Sequence, residues 1–263
     1  MKSVVVTGAY GGMGRAATLA LRDAGYRVFA LDRSVSDPED GIIPIRADIT
    51  SGEDVERAVS LIGEQTDSIY AVLHFAGIYM LDSLVEMNED AFVRAFDVNV
   101  FGAYRINKAL LSLLRTGSRI VLTTSELAPL YPLPFTGLYA ITKSTLEKYA
   151  YSLRMELQLL GISVSVIRPG AVKTDMLGVS TSALDKFCDS TEHYSCNATR
   201  FKKIVDSVES RCVAPERVAR VALRAIKAKR PKYVYKLNRN PLLLLLGILP
   251  KSVQTGIIRI ILK

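Results

Sequence analysis

Ser3-Val4-Val5-Val6-Thr7-Gly8-Ala9-Tyr10-Gly11-Gly12-Met13-Gly14 opens the chain with an apolar run that breaks into a glycine-rich turn. An apolar run without polar alternation is the pattern of a strand buried on both faces of a parallel sheet. Gly8, Gly12 and Gly14 then follow the spacing G-x-x-x-G-x-G. That differs from G-x-G-x-x-G but meets the same demands: a positive φ, no Cβ beside a pyrophosphate, and amides at a helix N-terminus. Strand, turn and a helix over 12–24 would begin a dinucleotide-binding unit. The plainer alternative is a glycine-rich turn without a ligand.

Outward from this stretch the strand and helix patterns alternate. A second strand over 27–31 ends in Asp32, and a third over 42–47 is followed by Asp48. A helix is expected over 54–62, stopped by Gly63, and a fourth strand over 69–73 leads into His74-Phe75-Ala76-Gly77. A long helix over 91–114, a fifth strand over 119–122, a second long helix over 138–160 and a sixth strand over 163–167 come next. A helix over 215–229 and a short strand over 233–235 close the series. The alternation predicts an α/β fold, a doubly wound parallel sheet with helices on both faces. One domain is expected over 1–236, with an extension over 237–263. Residues 178–211 read as the least regular stretch. They follow the sixth strand, and ligands of open α/β sheets bind beyond the carboxyl ends of strands, so this insertion is a candidate substrate lid.

The 263 residues are 49% hydrophobic and 23% charged, enough for a substantial globular core. A net charge of +8 suits a protein that binds anionic cofactors. Zinc-finger spacing and sustained basic runs are absent from the sequence, which argues against nucleic acid. Cys188, Cys196 and Cys212 form no C-x-x-C pair, and the first apolar run is too short for a signal segment, so reduced thiols and a cytoplasmic setting are expected. His74 and His193 lack metal-ligand spacing, and no metal is expected.

Tyr139 and Lys143 stand one helical turn apart. A free phenol, with a pKa of about 10, is protonated at neutral pH. An ammonium within about 4–6 Å lowers that value and suits the phenol to general acid–base work. The plainer reading is a core tyrosine beside a surface lysine. Against it, Tyr139, Lys143, Leu146, Ala150, Leu153 and Leu157 share one helical stripe, which turns the lysine inward. Ser125 lies at the end of the fifth strand, where a hydroxyl could donate to a developing alkoxide, with Thr124 as its competitor. Asn99, in the middle of a long helix, either bonds nearby backbone or holds a water for a proton relay. Asp32 could accept from both hydroxyls of an adenosine ribose and repel a 2′-phosphate, favouring NAD; Arg33 could instead pair with that phosphate and admit NADP. Asp48 either reaches an adenine edge or caps the helix near Gly52.

Thr7-Gly8, Gly12, Gly14, Asp48, Ala76-Gly77, Asn99, Ser125, Tyr139-x-x-x-Lys143 and Pro169-Gly170 with Thr174 resemble the short-chain dehydrogenase/reductase family, in the family's order and across residues 3–236. The resemblance implies a single-domain Rossmann fold, NAD or NADP, and a centre of Ser125, Tyr139 and Lys143 assisted by Asn99. It implies cofactor contacts from Thr7, Gly8, Gly12, Met13, Gly14, Asp32, Arg33, Asp48, Ile49, Ala76, Gly77, Asn99, Tyr139, Lys143, Pro169, Gly170, Val172 and Thr174. It also implies a homodimer or homotetramer through the two long helices. His74-Phe75 stands where the family often has two asparagines, and the Ser125-to-Tyr139 spacing is slightly long. The lid, with Ala214-Pro215-Glu216-Arg217-Val218-Ala219 and Arg230-Pro231-Lys232-Tyr233, is similar to members acting on hydrophobic alcohols such as steroids and retinoids.

The tail carries Leu242 to Leu246 and then Ile257, Ile258, Ile260, Ile261 and Leu262 around Arg259. The apolar runs are far short of the roughly 20 residues that span a bilayer. Two readings stand: an interfacial helix on anionic lipid, with peripheral membrane contact through 241–263, or a tail packed on its own cleft or on a partner subunit. The expected function is interconversion of an alcohol and its carbonyl. The alternatives are a catalytically idle membrane-associated binding protein on the same fold and an NADP-dependent carbonyl reductase.

Overall fold

A computed structural model of the chain describes residues 1–209 and 211–263. Position 210, inside the expected lid, lies outside the described residues. In chain order come β1 (Ser3–Thr7), α1 (Gly12–Asp23), β2 (Arg27–Asp32), β3 (Ile42–Arg46), α2 (Gly52–Gly63) and β4 (Ile69–His74). Then follow α3 (Glu89–Phe96), α4 (Gly102–Ala109), β5 (Leu114–Thr123), α5 (Gly137–Leu157), β6 (Ser163–Pro169) and α6 (Asp175–Ser190). Last are α7 (Ser195–Glu209), α8 (Pro215–Lys227), β7 (Val234–Leu237), α9 (Pro241–Ile248) and α10 (Lys251–Leu262).

The strands form one seven-stranded parallel sheet in the order β3-β2-β1-β4-β5-β6-β7. Side chains alternate across a strand, and here both faces are covered. Val4 and Val6 of β1 join a core with Ala17 and Leu21 of α1 and Val218, Ala222 and Ile226 of α8. Val5, between them, joins the opposite core with Val55 and Ile62 of α2, Ile106 of α4, and Leu146 and Ala150 of α5. The order of strands reverses between β1 and β4, which opens a crevice at their carboxyl ends. The sheet and its two helical layers form the single-domain Rossmann fold expected from the sequence.

Three expectations need correction. The helix expected over 91–114 is broken: α3 passes into a π-helical turn, Asp97–Phe101, before α4, and Leu114 already belongs to β5. Asn99 sits in this turn, and its side chain is bonded to Ile78 and Thr142 outside the helix. β5 is also longer than expected, and its pairing with β4 shifts register after Leu114, beside Gly117 at φ +91°.

Residues 178–211 are mostly helical, in α6 and α7, rather than irregular. Leu184 and Phe187, and then Ala198, Phe201 and Val205, recur at helical intervals and are buried in a third core with Leu81, Phe135 and Leu262 of α10. A short turn interrupts this period. Glu86 holds the turn, its carboxylate accepting from Thr191 Oγ1 at 2.7 Å and from the amides of Glu192 and His193 at 3.1 and 3.0 Å.

The tail packs on α6 and α7: Leu262 shares their core, and Asn197 Nδ2 donates to its carbonyl at 2.6 Å. Leu242, Leu245, Ile248, Ile260 and Ile261 remain exposed along it. No helix among the described residues is long and apolar enough to cross a membrane.

Candidate active site

The glycine turn is built backbone against backbone. Gly8 has φ +66°, and a Cβ on it would stand 2.5 Å from the Ala76 amide nitrogen. A Cβ on Gly14 would run into the Gly8 carbonyl. The crevice between β1 and β4 widens into a cavity of about 980 Å³ lined by Gly8, Gly11, Asp32, Arg33, Asp48, Ile49, Ala76 and Gly77. Of the remaining expected contacts, Met13, Pro169, Gly170, Val172 and Thr174 line a second, adjoining chamber instead. Gly12 faces Thr174, whose Cγ2 would meet a Cβ there at 2.7 Å. Thr7 Oγ1 is buried and has no hydrogen-bond partner among the described residues.

Asp32 Oδ2 accepts from the Tyr10 amide at 2.9 Å and Oδ1 from the Arg33 amide at 2.7 Å. The Ser34 amide adds a longer bond to Oδ1 at 3.4 Å; of the roughly four lone-pair positions of a carboxylate, one remains for a hydroxyl donor. Asp48 does not cap α2; Ser51 does, accepting from the Asp54 amide. Burial pulls the Asp48 carboxyl upward. Hydrogen bonds from the Thr50 amide and hydroxyl, with Arg33 and Arg94 nearby, outweigh this and hold it below its ordinary value.

Ser125, Tyr139 and Lys143 line the adjoining chamber, a cavity of about 180 Å³ also walled by Gly77, Tyr79 and Glu126. β5 ends at Thr123, which places Ser125 two residues beyond it. α5 starts at Gly137, so Tyr139 and Lys143 lie in its first two turns. The Ser125 side chain acts on the Tyr139 phenol against the upward pull of burial, and Tyr79 meets its ring edge-on, centroids 4.6 Å apart. Thr124 points elsewhere: its hydroxyl donates to the Ile167 carbonyl at 3.2 Å.

Lys143 is buried, and its Nζ donates to the Thr123 carbonyl at 3.0 Å while lying 5.7 Å from the Tyr139 ring centre. A Cβ at Gly77 would be 3.4 Å from that ammonium, so the bare loop leaves it open toward the crevice. Asn99 Oδ1 accepts from the Ile78 amide at 2.8 Å, and Nδ2 donates to the Ile78 carbonyl and to Thr142 Oγ1, both at 3.0 Å. It therefore ties the loop after β4 to α5, and the backbone it bonds is 21 residues away rather than nearby.

The electrostatics differ from the simple expectation. Burial pushes the Tyr139 phenol up to about 12; the Ser125 hydrogen bond opposes this, and the Glu126 carboxylate adds to it. Burial also lowers the Lys143 ammonium to about 8. In the protein alone, then, burial governs both groups, and the lysine does not bring the phenol below its ordinary value. The phenol is held as a proton donor.

Glu126, Tyr79 and Thr142 were not singled out from the sequence. For Glu126 a signal exists: it is a carboxylate directly after Ser125, at a strand end whose neighbours are all buried. Its Oε2 accepts from the Asn240 amide at 2.6 Å, and burial pushes its carboxyl up.

A model of the short chain dehydrogenase family matches residues 2–185. An oxidoreductase of Escherichia coli, YbbO, is 31% identical over 243 residues, covering 89% of this chain and 84% of that one. Estradiol 17-beta-dehydrogenase 2 of Mus musculus is 30% identical over 260 residues, covering 89% of this chain and 67% of that protein. Among solved structures, a short-chain dehydrogenase from Streptomyces avermitilis superposes with a TM-score of 0.80 at 22% identity, over 98% of this chain and 95% of the other. The chain belongs to the short-chain dehydrogenase family of oxidoreductases.

Proposed function

We propose that this short-chain dehydrogenase uses a nicotinamide dinucleotide to interconvert a hydroxyl and a carbonyl on a hydrophobic alcohol or ketone of steroid or retinoid size. One observation carries the reading: Ser125, Tyr139 and a buried Lys143 line one chamber that adjoins the glycine-turn crevice.

The crevice suits the dinucleotide. Gly8 and Gly11 expose backbone to it, Thr7 Oγ1 lacks a partner among the described residues, and Asp32 keeps an acceptor position for a ribose hydroxyl, which favours NAD over NADP. Asp48 and Ile49 would flank the adenine, Ala76 and Gly77 the adenosine-side backbone, and Val172 and Thr174 the carboxamide. When bound, a nicotinamide would supply or accept the hydride.

The chain's own residues do the rest. Tyr139 Oη gives its proton to a carbonyl oxygen, or takes one from a hydroxyl. Ser125 donates to the same oxygen and fixes its position. Lys143 provides the positive charge that stabilises the phenolate and holds the nicotinamide ribose, and Asn99 braces the wall behind it. With the phenol near 12 it stands ready as a proton donor, and a cationic ring beside Tyr139 would lower that value and let it also accept a proton.

Tyr139→Phe should lower turnover by at least about a hundredfold while cofactor affinity stays nearly intact. Turnover like that of the parent protein would defeat the assignment.

Phe92, Val93, Phe101, Tyr104 and Met155 are exposed on α3, the π turn, α4 and α5. That apolar surface supports a homodimer or homotetramer, which light scattering at micromolar concentration would check. The exposed leucines and isoleucines of α9 and α10, with Lys251, Arg259 and Lys263, support peripheral contact with anionic membrane, which co-sedimentation with vesicles would check.

A further inference from the structure

Beyond the reaction chamber lies a larger cavity of about 700 Å³, walled by α7 and the tail. The two share Glu126, Leu133, Ala171, Phe201, Ile204 and Leu243, so they abut. Together they form one elongated space running from Tyr139 toward α10. At about 180 Å³ the inner chamber is too small to hold a hydrophobic body whole, and the apolar room is in the outer part.

The tail makes that room. α9 is apolar on every side, a pattern that ordinarily marks a helix buried all round. Its Leu243 and Leu246 face the cavity, joined by Leu249 and by Ile257, Ile258 and Ile261 of α10. A water-filled space of this size between leucines and isoleucines is unfavourable, and ligand sites fall in this range of roughly 300–1,000 Å³. Leucine side chains on two short helices also conform readily to a flexible chain.

The charged residues on the same wall are unequal. Lys203, Arg211 and Arg239 line the outer cavity, and Glu126, at its inner end, is the single acid among the described lining residues. No ion pair engages the three cations among the described residues, and Arg239 acts on Glu126 only through its field. Cations gathered around an apolar cavity fit a ligand whose long hydrocarbon body ends in, or carries, an anionic group.

We propose that the substrate is an elongated anionic amphiphile: its reacting carbon lies at Tyr139, its aliphatic body fills the tail-walled cavity, and its carboxylate or phosphate is met by Lys203, Arg211 and Arg239. This deepens the oxidoreductase reading above and rests on it for the turnover arm of the test, but not for the binding arm.

Straight-chain ketones and secondary alcohols of increasing length, each in neutral and terminal-carboxylate form, are assayed with both nicotinamide cofactors, and the carboxylates are also titrated by calorimetry. kcat/KM and affinity should each rise by up to about fourfold per added methylene, the scale for a buried CH2, until the cavity is full. The carboxylate form should outperform the neutral one. That advantage should shrink with salt and fall about tenfold in a Lys203→Gln/Arg211→Gln/Arg239→Gln variant, the sum expected of three partly exposed charge contacts. The neutral long-chain ketone reports whether this variant is folded. A flat response to length, or a preference for the neutral form, would overturn the inference while short-ketone turnover kept the activity. Length-dependent carboxylate binding without turnover of any compound would uphold the cavity assignment and overturn the activity.

Discussion

On one side of Tyr139 lies a crevice walled largely by backbone; on the other lies a cavity walled by side chains. The first is made of residues at the ends of β1, β2, β3 and β4, and its shape depends in part on glycines such as Gly8 that admit no Cβ. The second is assembled from α7, α9, α10 and the loop after β5, drawn from segments more than a hundred residues apart, and its shape depends on leucines, isoleucines and one phenylalanine. A backbone wall is fixed by turn chemistry and tolerates little change. A side-chain wall can be refilled by other apolar residues, so specificity can drift while the cofactor site stays constant.

The sharpest way to break this contrast is one small exchange on each side. Gly8→Ala meets both a positive φ and the Ala76 backbone, and should cost about 2–4 kcal/mol of stability. Leu243→Met, a volume-conserving exchange in the outer cavity, should cost less than about 1.5 kcal/mol. Urea unfolding of both variants measures the difference, and equal costs would show that the crevice is no stiffer than the cavity.

Acid probes the end of β4, next to the crevice. His74, at the end of β4, is fully buried against Asn107 Oδ1 at 2.9 Å, and burial holds its pKa down to about 4. In the unfolded chain it returns to about 6.5. Between these values the unfolded state binds more protons, so stability is lost as pH falls. Between pH 7 and pH 5 the loss from this residue should be about 2 kcal/mol. Unfolding midpoints of the parent protein and of His74→Gln at both pH values isolate it; the same pH dependence in both would rule the residue out.

A smaller effect concerns cofactor choice. Asp32→Ala should narrow the preference for NAD over NADP by about tenfold, the worth of one charge-assisted hydrogen bond. Fluorescence titration with both cofactors reads it directly. Tighter NADP binding by the parent protein would mean that Arg33 governs the end of β2.

The same division explains what could be read in the sequence. The β1 run, the glycine turn, Asp32, and the closeness of Ser125, Tyr139 and Lys143 follow from short spacings and strand-end positions, and these were legible. The break in the helix over 91–114 was not, because the turn there holds Asn99 bonded to Ile78, a tertiary bond that helix periodicity does not show. Helices α6 and α7 were hidden by short apolar periods interrupted at Thr191. The tail's place on α6 and α7 could not be read, since an apolar helix signals burial without naming its partner. The raised Tyr139 phenol was missed for a related reason: spacing shows that an ammonium is near, but only packing shows how much water has gone.

The most direct test of the central claim uses isotope rather than mutation. The protein is incubated with NAD and a long-chain secondary alcohol deuterated at the carbinol carbon, and the cofactor is recovered for NMR and mass analysis. The account predicts one deuterium at a single face of nicotinamide C4, with none taken from solvent. Recovery of unlabelled cofactor with NAD and NADP alike, from protein shown to bind both cofactor and alcohol, would contradict it.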